Sequence, residues 1–147
     1  MVHIVQPDGW EDFLHKTPNP PKERIALFID PQTEHRIEVM ARFQTTETHT
    51  SALVTSFHEH LRNTLDVKSD SEKIYELDDG QSRTGRFVIY STRESEVPIT
   101  IVTFAFPAAE AAYLVVGYFA NVTRDEGLKT VDDFIRRMTN IRYSSIS

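Results

Sequence analysis

Apolar residues recur along this chain in three distinct rhythms, and each predicts a different element. Ile37, Val39, Ala41 and Phe43 alternate with Arg36, Glu38 and Arg42. That period of two is the mark of a strand with one face toward the core, and Met40 joins the outward side. Leu53, Val54, Phe57, Leu61 and Leu65 recur at helical spacing instead. They predict an amphipathic helix from about 50 to 63, with Thr48 or Thr50 as its N-cap. The third rhythm is no alternation at all. Val97 to Phe106 and Tyr113 to Ala120 are apolar at almost every position, so both faces of this hairpin should be covered.

The rest of the chain fills in around these. Val2–Val5 reads as a short strand ended by the turn signal Pro7-Asp8-Gly9, with Trp10 just beyond. Phe13-Leu14-His15 reads as a strand, and Lys16 to Glu23 as an irregular loop carrying Pro18, Pro20 and Pro21. Ile25–Ile29 is a strand turned by Asp30-Pro31-Gln32-Thr33. Ile74–Leu77 and Arg83–Tyr90 are strands joined at Asp78-Asp79-Gly80, and the polar Ser91–Glu96 turns into the apolar hairpin. Thr123-Arg124-Asp125-Glu126 matches a capping box, opening a last helix whose stripe is Leu128, Val131, Phe134, Ile135 and Met138. On the sheet, one apolar set is Phe87, Ile89, Ile101 and Phe119; the other is Val88, Val102, Phe104, Phe106, Leu114, Val116 and Tyr118. The sum is an α+β fold: a central antiparallel sheet with a helix on each face, in one domain over 1–147.

Composition removes several chemistries. The 147 residues include no Cys, which excludes disulfides, Cys-ligated zinc and Cys nucleophiles. The net charge is −6 and no basic stripe is visible, so a nucleic-acid partner is not expected. Arg136, Arg137 and Arg142 gather near the end of the last helix, where they complement its dipole. Met1–Gln6 is too short and polar for a signal peptide, and no apolar run is long enough for a membrane span. On these grounds the chain reads as cytosolic or as a mature domain.

No motif supplies a reaction. His58-Glu59-His60 has the wrong period for a helical metal pair, because residues two apart point about 200° apart. Among five glycines there is no phosphate-binding loop and no nucleophile elbow. Gly117, inside a strand, marks a bulge or a close backbone approach. No cofactor and no metal are expected. Glu38 and Glu76 project from strands, where pairing with Arg36, Arg42 or Arg86 is the expected role.

The segment Pro7-Asp8-Gly9-Trp10-Glu11-Asp12 resembles the opening of the DcrB-like proteins, as does the strand Arg24–Asp30 running on to Ile37–Phe43. With the amphipathic helix, the strand meander and the closing Phe134-Ile135-Arg136-Arg137-Met138, the whole order resembles the PsbP/DcrB-like α-β-α sandwich. That group includes an extrinsic photosystem protein, a Ran-binding nuclear transport factor, bacterial lipoproteins and effector-associated chaperones of type VI secretion. The chain lacks the cysteine of a lipoprotein signal. The resemblance implies a non-enzymatic binding or assembly role, chaperone- or adaptor-like, with no catalytic residues to carry over. The candidate partner surface is Trp10 with Arg36, Glu38, Met40 and Arg42, forming an apolar groove for a partner helix or a second copy of the chain. The alternative is a small-ligand-binding protein or hydrolase built from converging His15, His35, His49, Glu38 and Glu76.

Overall fold

The computed structural model describes residues 2–16, 22–42, 55–57, 59–60, 68–76, 84–94, 96–107 and 111–138. Seven strands form one sheet: β1 (Glu11–Asp12), β2 (Arg24–Ile29), β3 (Arg36–Arg42), β4 (Lys68–Glu76), β5 (Thr84–Glu94), β6 (Val97–Pro107) and β7 (Ala112–Ala120). Their order is β1-β2-β3-β7-β6-β5-β4, and every neighbouring pair is antiparallel. Residues 55–57 and 59–60 are helical (α1), and α2 runs Arg124–Arg136. The strands β4 to β7 form a meander. β3 returns to pair with β7, which places β3 and β7 near the centre of the sheet.

Both faces are covered by helical residues. On one, Val131, Phe134, Ile135 and Met138 pack against Phe28, Val39, Val102, Phe104 and Val115. On the other, Phe57 of α1 packs with Val88, Tyr90, Ile101, Leu114 and Val116. Burying aliphatic or aromatic side chains of this size contributes about 1.5–3 kcal/mol each, so the paired layers dominate the fold's stability. Two glycines set how closely α2 can sit. A Cβ on Gly117 would lie 2.6 Å from Val131 Cγ2, so the helix rests on bare backbone there. Gly127 is buried inside α2 and faces the Phe119 ring. A Cβ there would lie 3.1 Å from that ring, a tighter contact than usual but far looser than at Gly117.

Several boundaries differ from the sequence expectation. Residues 2–5 form no strand; Val2 is buried and Ile4 packs on the α2 side. The first strand is Glu11–Asp12, not Phe13–His15. The Asp12 carboxylate accepts from Leu14 N at 3.0 Å and the Lys16 N–H reaches Phe13 O, folding that stretch into turns. β4 begins at Lys68, well before Ile74. Its first half, Lys68–Lys73, is polar, as suits an edge strand, and so has no apolar period to read. β5 continues through Ser91–Glu94 because Ser91 and Thr92 pair with Thr100 and Ile99. The reversal then takes only two residues, with Glu96 at φ 69°.

The two apolar sets of the sheet also need correcting. Phe87 faces Phe104 and Ile89 faces Val102 on the α2 side, whereas Tyr90 faces Ile101 on the α1 side. Val102, Phe104 and Phe106 therefore belong with Phe87 and Ile89, and Ile101 belongs with Val88. Strand parity comes from register, and a strand apolar at every position carries no register signal of its own.

Asp30, Gly9 and Thr123 make the expected turns and cap. Gly9 has φ 80°, and Trp10 N donates to Pro7 O. The Asp30 carboxylate takes Gln32 N and the Thr33 hydroxyl, and those bonds hold its acid below the usual carboxylate range. Thr123 Oγ1 accepts from Glu126 N at 3.2 Å. Arg136 pairs with Asp132 one turn back at 3.1 Å. The remainder of the expected first helix, the Pro18–Pro21 loop, Phe43, Leu77–Gly80 and Arg142 lie outside the described residues.

Candidate functional site

The alternation of β3 places Arg36, Glu38, Met40 and Arg42 in one row on the sheet face opposite α2. Their cross-strand partners on β7 are Tyr118, Val116, Leu114 and Ala112. Arg36, Met40 and Arg42 are half-buried. Glu38 is not the outward-facing surface carboxylate its position suggests, being only 4% exposed. A carboxylate taken out of water must find donors or it will not stay charged. Glu38 finds two. Arg24 Nε donates to Oε2 at 2.9 Å, and the Tyr118 hydroxyl donates to Oε1 at 3.2 Å.

Arg24 reaches Glu38 through a backbone irregularity. In β2 the register shifts between Arg24 and Ala26, so Arg24 lies opposite Met40 while Ala26 lies opposite Val39. One extra residue thus turns Arg24 to the Glu38 face while Ala26 goes to the α2 core. Tyr118 is held protonated well above the ordinary tyrosine range. Burial is the main cause and the Glu38 charge adds to it, while Arg36 pulls the other way. The Arg36 guanidinium sits over the Tyr118 ring, 4.2 Å from its centroid. At the other end of the row, Arg42 binds Glu23, with Nη2 at 3.0 Å from Oε1.

Two open grooves flank this polar row. One, of about 220 Å³, lies between β3 and α1 and is lined by Arg24, Glu38, Met40, Phe57 and His60. The other, of about 530 Å³, lies across the ends of β2, β3, β7, β6 and β5 beside Arg36 and Tyr118. The Glu38–Tyr118 pair stands between them.

Trp10 is elsewhere. It packs half-buried on the α2 side, in a third groove of about 220 Å³ with Val5, Ile37 and Phe134. The sheet separates it from the row on β3, so the single groove expected to hold all five candidate residues is two surfaces on opposite faces.

The histidines and carboxylates of the alternative reading are not brought together where they are described. His15 is exposed in a turn. His35 Nε2 lies 3.2 Å from Ala120 O, and its ring meets the edge of Phe119. Glu38 is engaged by Arg24 and Tyr118. His49, His58 and the Glu76 side chain lie outside the described residues. Among the described residues no group of three or more His, Asp or Glu side chains is placed to hold a metal, and no helix is long and apolar enough to cross a membrane.

Sequence reading found the row but not its partners, Arg24, Tyr118 and Glu23. A weak signal exists for Tyr118, whose hydroxyl is one of the few polar groups in an otherwise apolar β7. Nothing in the spacing signals the bulge that brings in Arg24.

Comparison with solved structures shows the fold. LpqN of Mycobacterium tuberculosis, described as involved in cell envelope biogenesis, superposes with a TM-score of 0.62 at 12% identity, over 96% of this chain and 83% of that one. The PsbP protein CyanoP of Synechocystis sp. PCC 6803 gives 0.60 at 9%, over 93% and 85%. A point mutant of Mog1 gives 0.58 at 10%, over 96% and 91%. The chain has the PsbP-like α-β-α sandwich fold that these structures share. No protein-family model matches the sequence, and no curated protein matches it.

Proposed function

We propose that this chain is a non-enzymatic binding or assembly module, a single PsbP-like domain over 1–147, that engages a protein partner through the β3 face of its sheet. Arg36, Glu38, Met40 and Arg42 form the contact row, and Trp10 provides a separate contact on the α2 side. The observation that carries this reading is the row itself. A buried carboxylate fixed by Arg24 and Tyr118 holds a half-buried row of two arginines and a methionine between two open grooves. Arg and Met are enriched at recognition surfaces, and Arg is among the residues that anchor them. The involvement of LpqN in cell envelope biogenesis supports an assembly role for the shared fold. Against a hydrolytic role for Glu38 stands its geometry, since both carboxylate oxygens already accept a donor.

A photo-crosslinking residue at position 40, expressed in the native host, tests this. The expected result is a discrete protein adduct whose yield falls when Arg36 is changed to Ala. The mass of the adduct separates a foreign partner from a second copy. No protein adduct from position 40, with the variant folded, overturns the reading.

A further inference from the structure

Three half-buried arginines stand on the β3 face, and two have carboxylates. Arg24 has Glu38 and Arg42 has Glu23. Arg36 has none among the described residues; its neighbour is Tyr118, whose ring lies under the guanidinium and whose hydroxyl it also reaches. That contact uses the positive charge of the guanidinium but leaves most of its five N–H donors for another acceptor. A half-buried guanidinium gains most from a planar acceptor that can take two of those donors, which is a carboxylate.

Arg36 borders the larger groove, and the groove is built to match. Its volume of about 530 Å³ would hold a few side chains of a bound segment. Ile29 and Ile99 supply apolar wall, and Thr33 and Thr92 border it. Glu34 also borders the groove, but it is exposed where Arg36 is half-buried. Water screens the exposed carboxylate more than the half-buried cation, so the floor of the groove favours an anion.

We propose that this groove receives an acidic side chain of the protein partner, its carboxylate on Arg36 and its apolar neighbours against Ile29 and Ile99. The proposal rests on the partner reading and specifies the chemistry the partner must present.

The test uses two small probes, 3-phenylpropanoate and its uncharged amide, titrated into the isotope-labelled full chain and followed by backbone amide shifts. Shifts should cluster at Ile99, Tyr118 and Ala120, and the acid should bind about tenfold more tightly than the amide, as one charged hydrogen-bonded contact allows. Arg36→Gln should bring the acid down to the amide's affinity, Arg36→Lys should keep part of the preference, and Glu34→Gln should not weaken the acid. Equal binding of acid and amide to the unaltered chain overturns the proposal, whether or not Arg36→Gln folds. Shifts clustered away from the groove overturn it as well. If the acid preference is absent while the crosslink at position 40 persists, the partner reading stands and only the carboxylate falls. If the acid binds at Arg36 but position 40 gives no protein adduct, the groove holds a free small acid, and both the partner reading and this proposal are overturned.

Discussion

Replacing Glu38 by Gln removes one charge and almost no volume. The new side-chain amide can still accept from Arg24 through its oxygen, and its NH₂ can donate to a rotated Tyr118 hydroxyl. What is lost is the negative charge facing Arg24, whose side chain is only 16% exposed against 5% for Glu38. A hydrogen bond to a charged group contributes about 1.5–3 kcal/mol, and Glu38→Gln should cost an amount in that range. Glu38→Leu, which strands Arg24 and the Tyr118 hydroxyl together, should cost more, about 3–5 kcal/mol. The triple exchange Arg24→Met, Glu38→Leu and Tyr118→Phe puts apolar groups in place of every member of the network, the Tyr118 hydroxyl included, and should fall within about 1 kcal/mol of the parent. The assay is urea unfolding followed by the fluorescence of Trp10, the only tryptophan, which packs against the α2-side core. The signature is non-additivity: the triple should cost far less than the sum of Arg24→Met, Glu38→Leu and Tyr118→Phe made singly. Single changes that each cost under about 0.5 kcal/mol, and simply add, would place the pair with ordinary surface ion pairs and refute the reasoning.

Two further outcomes follow from the geometry. Gly117→Ala puts a methyl 2.5 Å from Phe119 Cε2 and 2.6 Å from Val131 Cγ2, so it should cost about 1–3 kcal/mol by overpacking. Gly127→Ala meets its nearest neighbour, Phe119 Cδ2, at 3.1 Å and gains up to about 1 kcal/mol of helix propensity, so its melting temperature should change little; equal losses at both glycines would contradict the closeness of α2 to β7. Tyr118 ionises well above its ordinary value in the fold, whereas in the unfolded chain it ionises near 10. Its contribution to stability is therefore complete below about pH 10 and is lost as the pH rises above that value. Urea midpoints at pH 9, 10 and 11 should fall more steeply in the parent than in Tyr118→Phe, and identical slopes would refute the burial of the hydroxyl.

The contrast between legible and illegible features follows from what each leaves in sequence. β3 was readable because Ile37, Val39 and Ala41 bury on one face while polar residues occupy the other, so the period survives. α2 was readable for the same reason, with Thr123 marking its start. The pairing of Phe104 with Phe87 rather than with the Val88 set was not, because β6 is apolar at both parities and only the hairpin register decides. The polar half of β4 left no apolar signal, since its position at the sheet edge imposes no apolar face. At the site, four residues of the row were found from alternation alone. The depth of Glu38 was not, because its donors come from a bulge in β2 and from Tyr118, 80 residues away in sequence.

The buried pair at Glu38 also separates stability from function. A buried ion pair rarely stabilises more than apolar groups of equal size would. If Arg24, Glu38 and the Tyr118 hydroxyl served the fold alone, replacing them by Met, Leu and Phe would leave nothing altered. Their position suggests a different use. They tie β2 to β3, and through Tyr118 they tie β3 to β7, so three strands share one polar register at the point where the two grooves meet. Tyr118 in turn carries Arg36 on its ring. Removing the Glu38 charge frees the Tyr118 hydroxyl, and the platform under Arg36 is no longer fixed in rotation about its own side-chain bonds. The Met/Leu/Phe triple variant should therefore unfold at nearly the parent urea concentration and yet give a weaker crosslink at position 40 and a smaller preference for acid over amide at Arg36. Stability retained with recognition lost is the outcome that assigns the buried charges to shaping the surface; retention of both would assign them to neither.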